Sequence, residues 1–144
     1  MASNEDIVRS AYAAAEEPLD IKGFLALFAA DGYLYDVSAG KTYRGGAVGD
    51  LVTGFHAAFP DMQRELRKLY AMGDVVVAEL SLNGTHTGPL TTPEGSIRPT
   101  GRRIAVPCCD VWTLRDGKIA SFHCYTAATV LLAQLGGASE GGRT

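Results

Sequence analysis

The sequence predicts an α+β fold, three helices followed by a meander of long strands that curves around them. Three observations carry this. Apolar residues recur at helical spacing before Pro60 and at strand spacing after it. Met72-Gly73-Asp74 and Arg115-Asp116-Gly117-Lys118 are turn signals set between β-forming runs. The chain has 144 residues, 47% of them hydrophobic and 20% charged, which suits a single domain with its own core and excludes a disordered chain.

Ser3 and Asn4 can cap a first helix, with Glu5 and Asp6 in its first turn and Ile7, Ala11 and Ala14 on one stripe. Pro18 ends this segment. Asp20 can cap a second helix whose apolar face is Phe24, Leu27 and Phe28, and Asp31-Gly32 stops it. Tyr33 to Val37 reads as a short strand, and Ser38 to Gly46 as turns. Val48, Leu51, Val52, Phe55 and Phe59 space a third helix, closed by Pro60. Strands are expected over 62–71, 75–87, 103–115 and 118–126, with a long Pro-, Gly- and Thr-rich connection from Gly88 to Gly101. Leu131 to Leu135 suggests a short closing helix, and 137–144 a flexible tail. One curved sheet around the helices would leave a cavity at its open end.

The net charge of −3 and the lack of a basic stripe exclude a nucleic-acid footprint. No apolar run approaches the roughly 20 residues of a membrane span, and the acidic N-terminus carries no secretory signal. Three cysteines, Cys108, Cys109 and Cys124, have no disulfide-framework spacing, so a reducing cytoplasm is expected.

Strand parity singles out Asp110. It shares a face with Ile104, Val106, Cys108, Trp112 and Leu114, so its carboxyl is desolvated and suits acid-base work. His123 and Tyr125 share a face of the last strand after Ile119 and Ser121, and His86 follows Val76, Ala78, Leu80 and Leu82. If those faces line the cavity, Asp110, His123, His86 and Tyr125 converge as catalytic candidates. Tyr33, Tyr35, Phe24, Phe28, Phe55 and Phe59 could form an aromatic wall for a flat ring system. Tyr35, Phe55, Phe59, Cys108, Trp112 and Phe28 are the substrate-binding candidates. The histidines, Asp110 and the cysteines lack metal-ligand spacing, so no metal is expected, and no dinucleotide fingerprint is present. Cys108 and Cys109 point to opposite faces of a strand and read as core thiols. Arg64, Arg67 and Lys68 read as surface. The strand Val75-Val76-Val77-Ala78 is apolar on both faces, which suggests that one lines the pocket and the other packs on a second subunit.

Five segments in order then resemble one family. Phe59-Pro60-Asp61-Met62, Gly84-Thr85-His86-Thr87-Gly88, Pro99-Thr100-Gly101-Arg102-Arg103, Asp116-Gly117-Lys118-Ile119 and Gln134-Leu135-Gly136 are similar in order and spacing to SnoaL-like polyketide cyclases. The resemblance covers about residues 5–136, so 1–136 is expected as a single SnoaL-like domain. It implies the nuclear-transport-factor-2-like fold, a cone-shaped α+β barrel around a hydrophobic cavity. It also implies aldol ring closure on aromatic, anthracycline-type polyketides without metal or organic cofactor. The cyclases carry a catalytic Asp nine residues before the Gly of Gln-Leu-Gly, and here that position is Ala127. They tend to carry His where this chain has Asp110. A branch of the family is assigned to hydroxylation of polyketide rings, with no cofactor of its own and an external reductant such as NADPH supplied through a partner reductase. The chain resembles that branch. Asp110 or His123 would then deprotonate or orient a phenol, and Tyr125 or His86 would stabilise the oxyanion. A cyclase with relocated acid-base chemistry and a non-catalytic dimeric binding module are the alternatives. A homodimer through the sheet is expected.

Overall fold

The computed structural model describes residues 2–136. Helix α1 (Asn4–Ala14) opens with the expected cap: the Ser3 hydroxyl accepts from the Asp6 amide at 3.1 Å, and the Asp6 carboxylate accepts from the Ser3 amide at 3.3 Å. Its buried stripe is Ile7, Val8, Ala11 and Tyr12. Helix α2 (Ile21–Ala26) is capped by Asp20. A 3-10 turn (Gly45–Gly49) leads into α3 (Asp50–Ala58).

The strands are β1 (Phe28–Asp36), β2 (Lys41–Arg44), β3 (Gln63–Met72), β4 (Val75–Thr85), β5 (Leu90–Thr92), β6 (Gly95–Ile97), β7 (Arg103–Arg115) and β8 (Lys118–Thr126), followed by α4 (Ala128–Gln134). Six of them form one sheet in the order β2-β1-β8-β7-β4-β3, and β5 and β6 form a separate hairpin. All neighbours in the large sheet are antiparallel except β1 and β8, which run parallel. The α+β arrangement is the one expected.

Three local expectations are corrected. The second helix stops at Ala26, and Phe28 already pairs with Ile119 of β8. Its ring still packs on Phe24, with centroids 5.3 Å apart, so the helical spacing of these apolar residues reflects packing and not a longer helix. Strand β2 lies in the segment expected as turns, and the β5–β6 hairpin lies in the connection after Gly88. The expected tail, 137–144, lies outside the described residues.

The concave face carries the core. Even-numbered side chains of β7 from Ile104 to Leu114 are buried, as are Val76, Ala78, Leu80 and Leu82 of β4. Trp112 stacks on Phe122 at 3.8 Å, and α1 lies across them through Tyr12. Among the described residues no helix is long and apolar enough to cross a membrane.

Candidate active site

Alternation along β7 aims Asp110 at the concave face, where the residue is 2% exposed. Buried polar atoms need partners, and the site supplies them. The Tyr12 hydroxyl of α1 donates to Asp110 Oδ2 at 2.7 Å, and Trp112 Nε1 donates to the Tyr12 oxygen at 3.0 Å. The Cys108 thiol donates to Asp110 Oδ1 at 3.3 Å. Cys124 of β8 lies 3.9 Å from Cys108, sulfur to sulfur, and Thr126 Oγ1 is 3.3 Å from the Cys124 sulfur.

Burial pushes the Asp110 carboxyl above the usual carboxylate range, opposed by the bonds from Tyr12 and the thiols and by the charge of Arg64. Burial also pushes the Tyr12 phenol up, reinforced by the charge and hydrogen bond of Asp110. The Tyr12 phenol therefore keeps its proton and donates it in a hydrogen bond to a buried carboxyl whose proton affinity is raised, which suits proton transfer between Asp110 and a substrate oxygen.

A small cavity of about 30 Å³ adjoins the cluster, lined by Tyr12, Arg64, Cys108, Asp110, Cys124 and others. It has room for about one or two waters. Outside it lies a groove of about 520 Å³, lined by Asp36, Tyr43, Asp50, Thr126, Leu131 and the β5–β6 hairpin. That volume is in the range of small-molecule sites. Leu51 and Phe55 border both spaces, so they divide the groove from the polar cluster.

The expected site residues separate into three places. Asp110, Cys108, Trp112 and Phe55 line the inner cavity. His123 and Tyr125 are on the convex face: His123 pairs with Val111 and Tyr125 with Cys109, the outward residues of β7. The expected convergence of His123 and Tyr125 with Asp110 is corrected here, and a bulge is the reason. Between Ile119 and Ser121 the β7–β8 register shifts, so Ala120 is an extra residue and parity inverts. Ile119 faces in, while Ser121, His123 and Tyr125 face out. Tyr35 joins this outer group, edge-on to His123 at 5.6 Å, and the Tyr33 hydroxyl lies 2.9 Å from His123 Nε2.

His86 faces inward but at the far end of the sheet. Ala78 is the residue opposite Asp110, and His86 lies eight positions further on, roughly 26 Å away at about 3.3 Å per residue. It is fully buried on Phe59, with ring centroids 5.3 Å apart. Its Nδ1 accepts from the Thr100 amide at 3.1 Å, and its backbone bonds to Gly101 and Arg102. His86 and Phe59 thus clasp the base of the hairpin connection. Phe28 packs in the core on Phe24. The expected single aromatic wall does not form.

Sequence reasoning missed Tyr12, Arg64 and Asp36. Tyr12 stands on the buried stripe of α1, which was a readable signal. Arg64 was expected at the surface, yet it is half-buried, lines the inner cavity and donates to the Ala15 carbonyl at 3.1 Å. Asp36 faces the groove because it pairs with inward Cys124, and burial raises its carboxyl despite bonds from the Ala39 and Ser38 amides.

A comparison with curated proteins returns no match. Among solved structures, a hypothetical protein of ketosteroid isomerase-like fold from Catenulispora acidiphila, crystallised with trimethylamine, is 25% identical. It aligns over 96% of this chain and 98% of its own, with a TM-score of 0.77. AclR of Streptomyces galilaeus, provisionally named a hydroxylase, is 23% identical over 92% of this chain and 80% of its own, TM-score 0.78. IdmH of Streptomyces antibioticus, provisionally named a polyketide cyclase, is 23% identical over 94% and 99%, TM-score 0.79. The shared fold is the ketosteroid isomerase-like cone. The family model described as the SnoaL-like domain matches residues 8–122, and with that span of the cone, its groove and its inner cluster accounted for, the chain belongs to the SnoaL-like domain family.

Proposed function

We propose that the chain is a tailoring enzyme that hydroxylates a ring carbon of an aromatic, anthracycline-type polyketide, holding no organic cofactor and drawing electrons from NADPH through a partner reductase. The observation that carries this is the buried Asp110–Tyr12 pair behind a groove of about 520 Å³. The fused rings lie in the groove and a phenol enters past Leu51 and Phe55. Asp110 accepts the phenol proton, and the Tyr12 hydroxyl, its oxygen held by Trp112, then turns its single O–H from the neutralised carboxyl to the oxygen that becomes anionic. The electron-rich ring then takes one oxygen atom from dioxygen. The second oxygen leaves as water, with two electrons and two protons from the reductant. Tyr12 takes the role that the sequence offered to Tyr125 or His86. Supporting this over ring closure, the position of the cyclase carboxylate is Ala127, whose amide donates to the Pro107 carbonyl at the start of α4.

The test is turnover of an anthracycline-type polyketide in air and under nitrogen, with and without NADPH and reductase, read by mass spectrometry. A gain of one oxygen, only in air, is expected. Asp110→Asn should lower product formation at least about 100-fold while the fold is kept. Isomeric ring closure under nitrogen would overturn hydroxylation in favour of a cyclase using Asp110, and tight binding without turnover would make this a binding module.

We also propose a homodimer through the convex face, in a cytoplasmic setting that keeps the thiols reduced. Tyr70, Val77, Val111, His123 and Tyr35 form one outward row across five adjacent strands. A largely apolar row of this kind is self-complementary to a second copy.

A further inference from the structure

Cys108 and Asp110 are two residues apart on β7, and Cys124 stands opposite Asp110 on β8. The linear spacing hides what the sheet assembles: two sulfurs and a carboxylate oxygen within 4.8 Å of one another, all three residues buried. We propose that Cys108, Asp110 and Cys124 bind one thiophilic divalent cation, zinc being the best match, with its fourth position turned to the inner cavity. It rests on the proposed function only for what fills that fourth position.

Four observations support the site. The first is metrical. A tetrahedral zinc with ordinary bond lengths separates two sulfurs by about 3.8 Å, and a sulfur from an oxygen by about 3.6 Å. Cys108 and Cys124 sulfurs are 3.9 Å apart, and Cys108 sulfur is 3.3 Å from Asp110 Oδ1. These two edges need shifts of a few tenths of an ångström, and the third, Cys124 sulfur to the Asp110 carboxylate, lies within 4.8 Å, so a rotation of the Cys124 side chain would close the tetrahedron. The second is orientation. Tyr12 occupies only Oδ2 and is itself held by Trp112, so the carboxylate is braced with Oδ1 turned to the sulfurs. Metal-binding carboxylates are usually braced in this way.

The third is charge. Two thiolates and one carboxylate around a divalent ion leave one negative charge, and Arg64 lines the same cavity to offset it. The fourth is access. All three ligands line the cavity, which has space for a ligand of water size, and Thr126 links the sulfurs to the groove. Three protein ligands with an open fourth position form the pattern of a catalytic zinc, and the soft donor set selects zinc over magnesium or calcium. A substrate phenol oxygen would fill that position and be held by the ion as its anion, while Asp110, ligating through Oδ1, would take the phenol proton on Oδ2 beside Tyr12.

The experiment uses the full chain, reduced and freed of metal, titrated with cobalt as a spectroscopic stand-in for zinc. One equivalent should produce a thiolate-to-cobalt charge-transfer band and the visible bands of tetrahedral cobalt, and zinc should displace it. Cys108→Ser, Cys124→Ser and Asp110→Asn should each abolish or collapse the band. Cys109→Ser, on the opposite face, should keep it, and Tyr12→Phe should weaken binding about tenfold or more. Should the core variants fail to fold, wild-type protein still decides. Zinc should slow alkylation of Cys108 and Cys124 and leave Cys109 unchanged. No charge-transfer band, a band that survives both cysteine variants, or equal alkylation with and without zinc overturns the site. These readouts need no substrate, so a failed turnover assay does not touch them. A Cys124→Ser protein that has lost the band yet still makes product would keep the proposed function, and would leave the cation without a part in it.

Discussion

Asp110 takes its chemistry from its neighbours: a phenol held by an indole on one oxygen, a thiol on the other, and beside them a cavity with room for about one or two waters. His86 is the second residue whose surroundings fix its protonation. Burial lowers its imidazole below the ordinary value, and Nδ1 is the acceptor for the Thr100 amide. Protons therefore bind His86 more readily in the unfolded chain. Its stabilising contribution is complete above the ordinary imidazole value of about 6.5 and declines as pH falls below it. The melting temperature of the wild type should drop from about pH 6.5 to about pH 5 more steeply than that of His86→Asn, which keeps an acceptor and does not titrate. Parallel pH profiles from a thermal melt would refute this. At this scale the sequence was partly legible. Alternation along an unbroken strand placed Asp110, Cys108 and Trp112 on the buried face. The same argument failed for His123 and Tyr125, because one added residue, Ala120, inverts the pattern, and nothing in the local sequence marks it.

Elements were legible where their signals are local. The capped start of α1 and the strands flanking the Met72-Gly73-Asp74 and Asp116-Gly117 turns lie close to their expected positions. Strand β1 was seen only from Tyr33, because its first half is irregular. Its register with β8 jumps between Phe28 and Tyr33, and Gly32 occupies the gap. A Cβ there would lie 2.8 Å from the Ile119 carbonyl oxygen and 2.9 Å from that of Ala29. These are backbone atoms, which cannot swing aside. Gly32→Ala should cost about 1–3 kcal/mol, seen as a lower urea midpoint with an unchanged slope. A midpoint equal to wild type would mean the strand relaxes freely. The β5–β6 hairpin was illegible because its strands are three residues each and gain their place from the groove they border and not from pattern.

At the scale of the molecule, two spaces share one partition. Phe55 borders both the groove and the inner cavity. Phe55→Ala should remove apolar contact with a polyketide worth about 1–2 kcal/mol, raising KM roughly tenfold with kcat changed less. A fall in kcat alone would instead assign Phe55 to the reactive geometry. The convex face offers an independent test. Val111 lies mid-row, flanked by Val77 and His123. Val111→Lys should convert a dimer to a monomer in sedimentation velocity, with its melting curve otherwise cooperative, and a monomeric wild type would refute the dimer. Fold class was readable because it follows from the order of helices and strands. A cavity at the open end of the sheet was expected too, but its lining and the three-donor cluster were not legible, because they arise from side chains that meet only once β7 and β8 are in register.

The parallel seam between β1 and β8 also orders the birth of the protein. Phe28 and Ile119 are neighbours in space but lie far apart in the chain, while β3, β4, β7 and β8 pair each with the next in chain order. During synthesis the meander can assemble as it emerges, whereas β1 must wait unpaired on the β8 side until the last strand appears. Closure is thus the slow, long-range step, and the nascent chain carries two open strand edges until then. Asp110 would remain wet for the whole of that interval, because Cys124 and Phe122, which complete its wall, arrive on the strand that seals the cone.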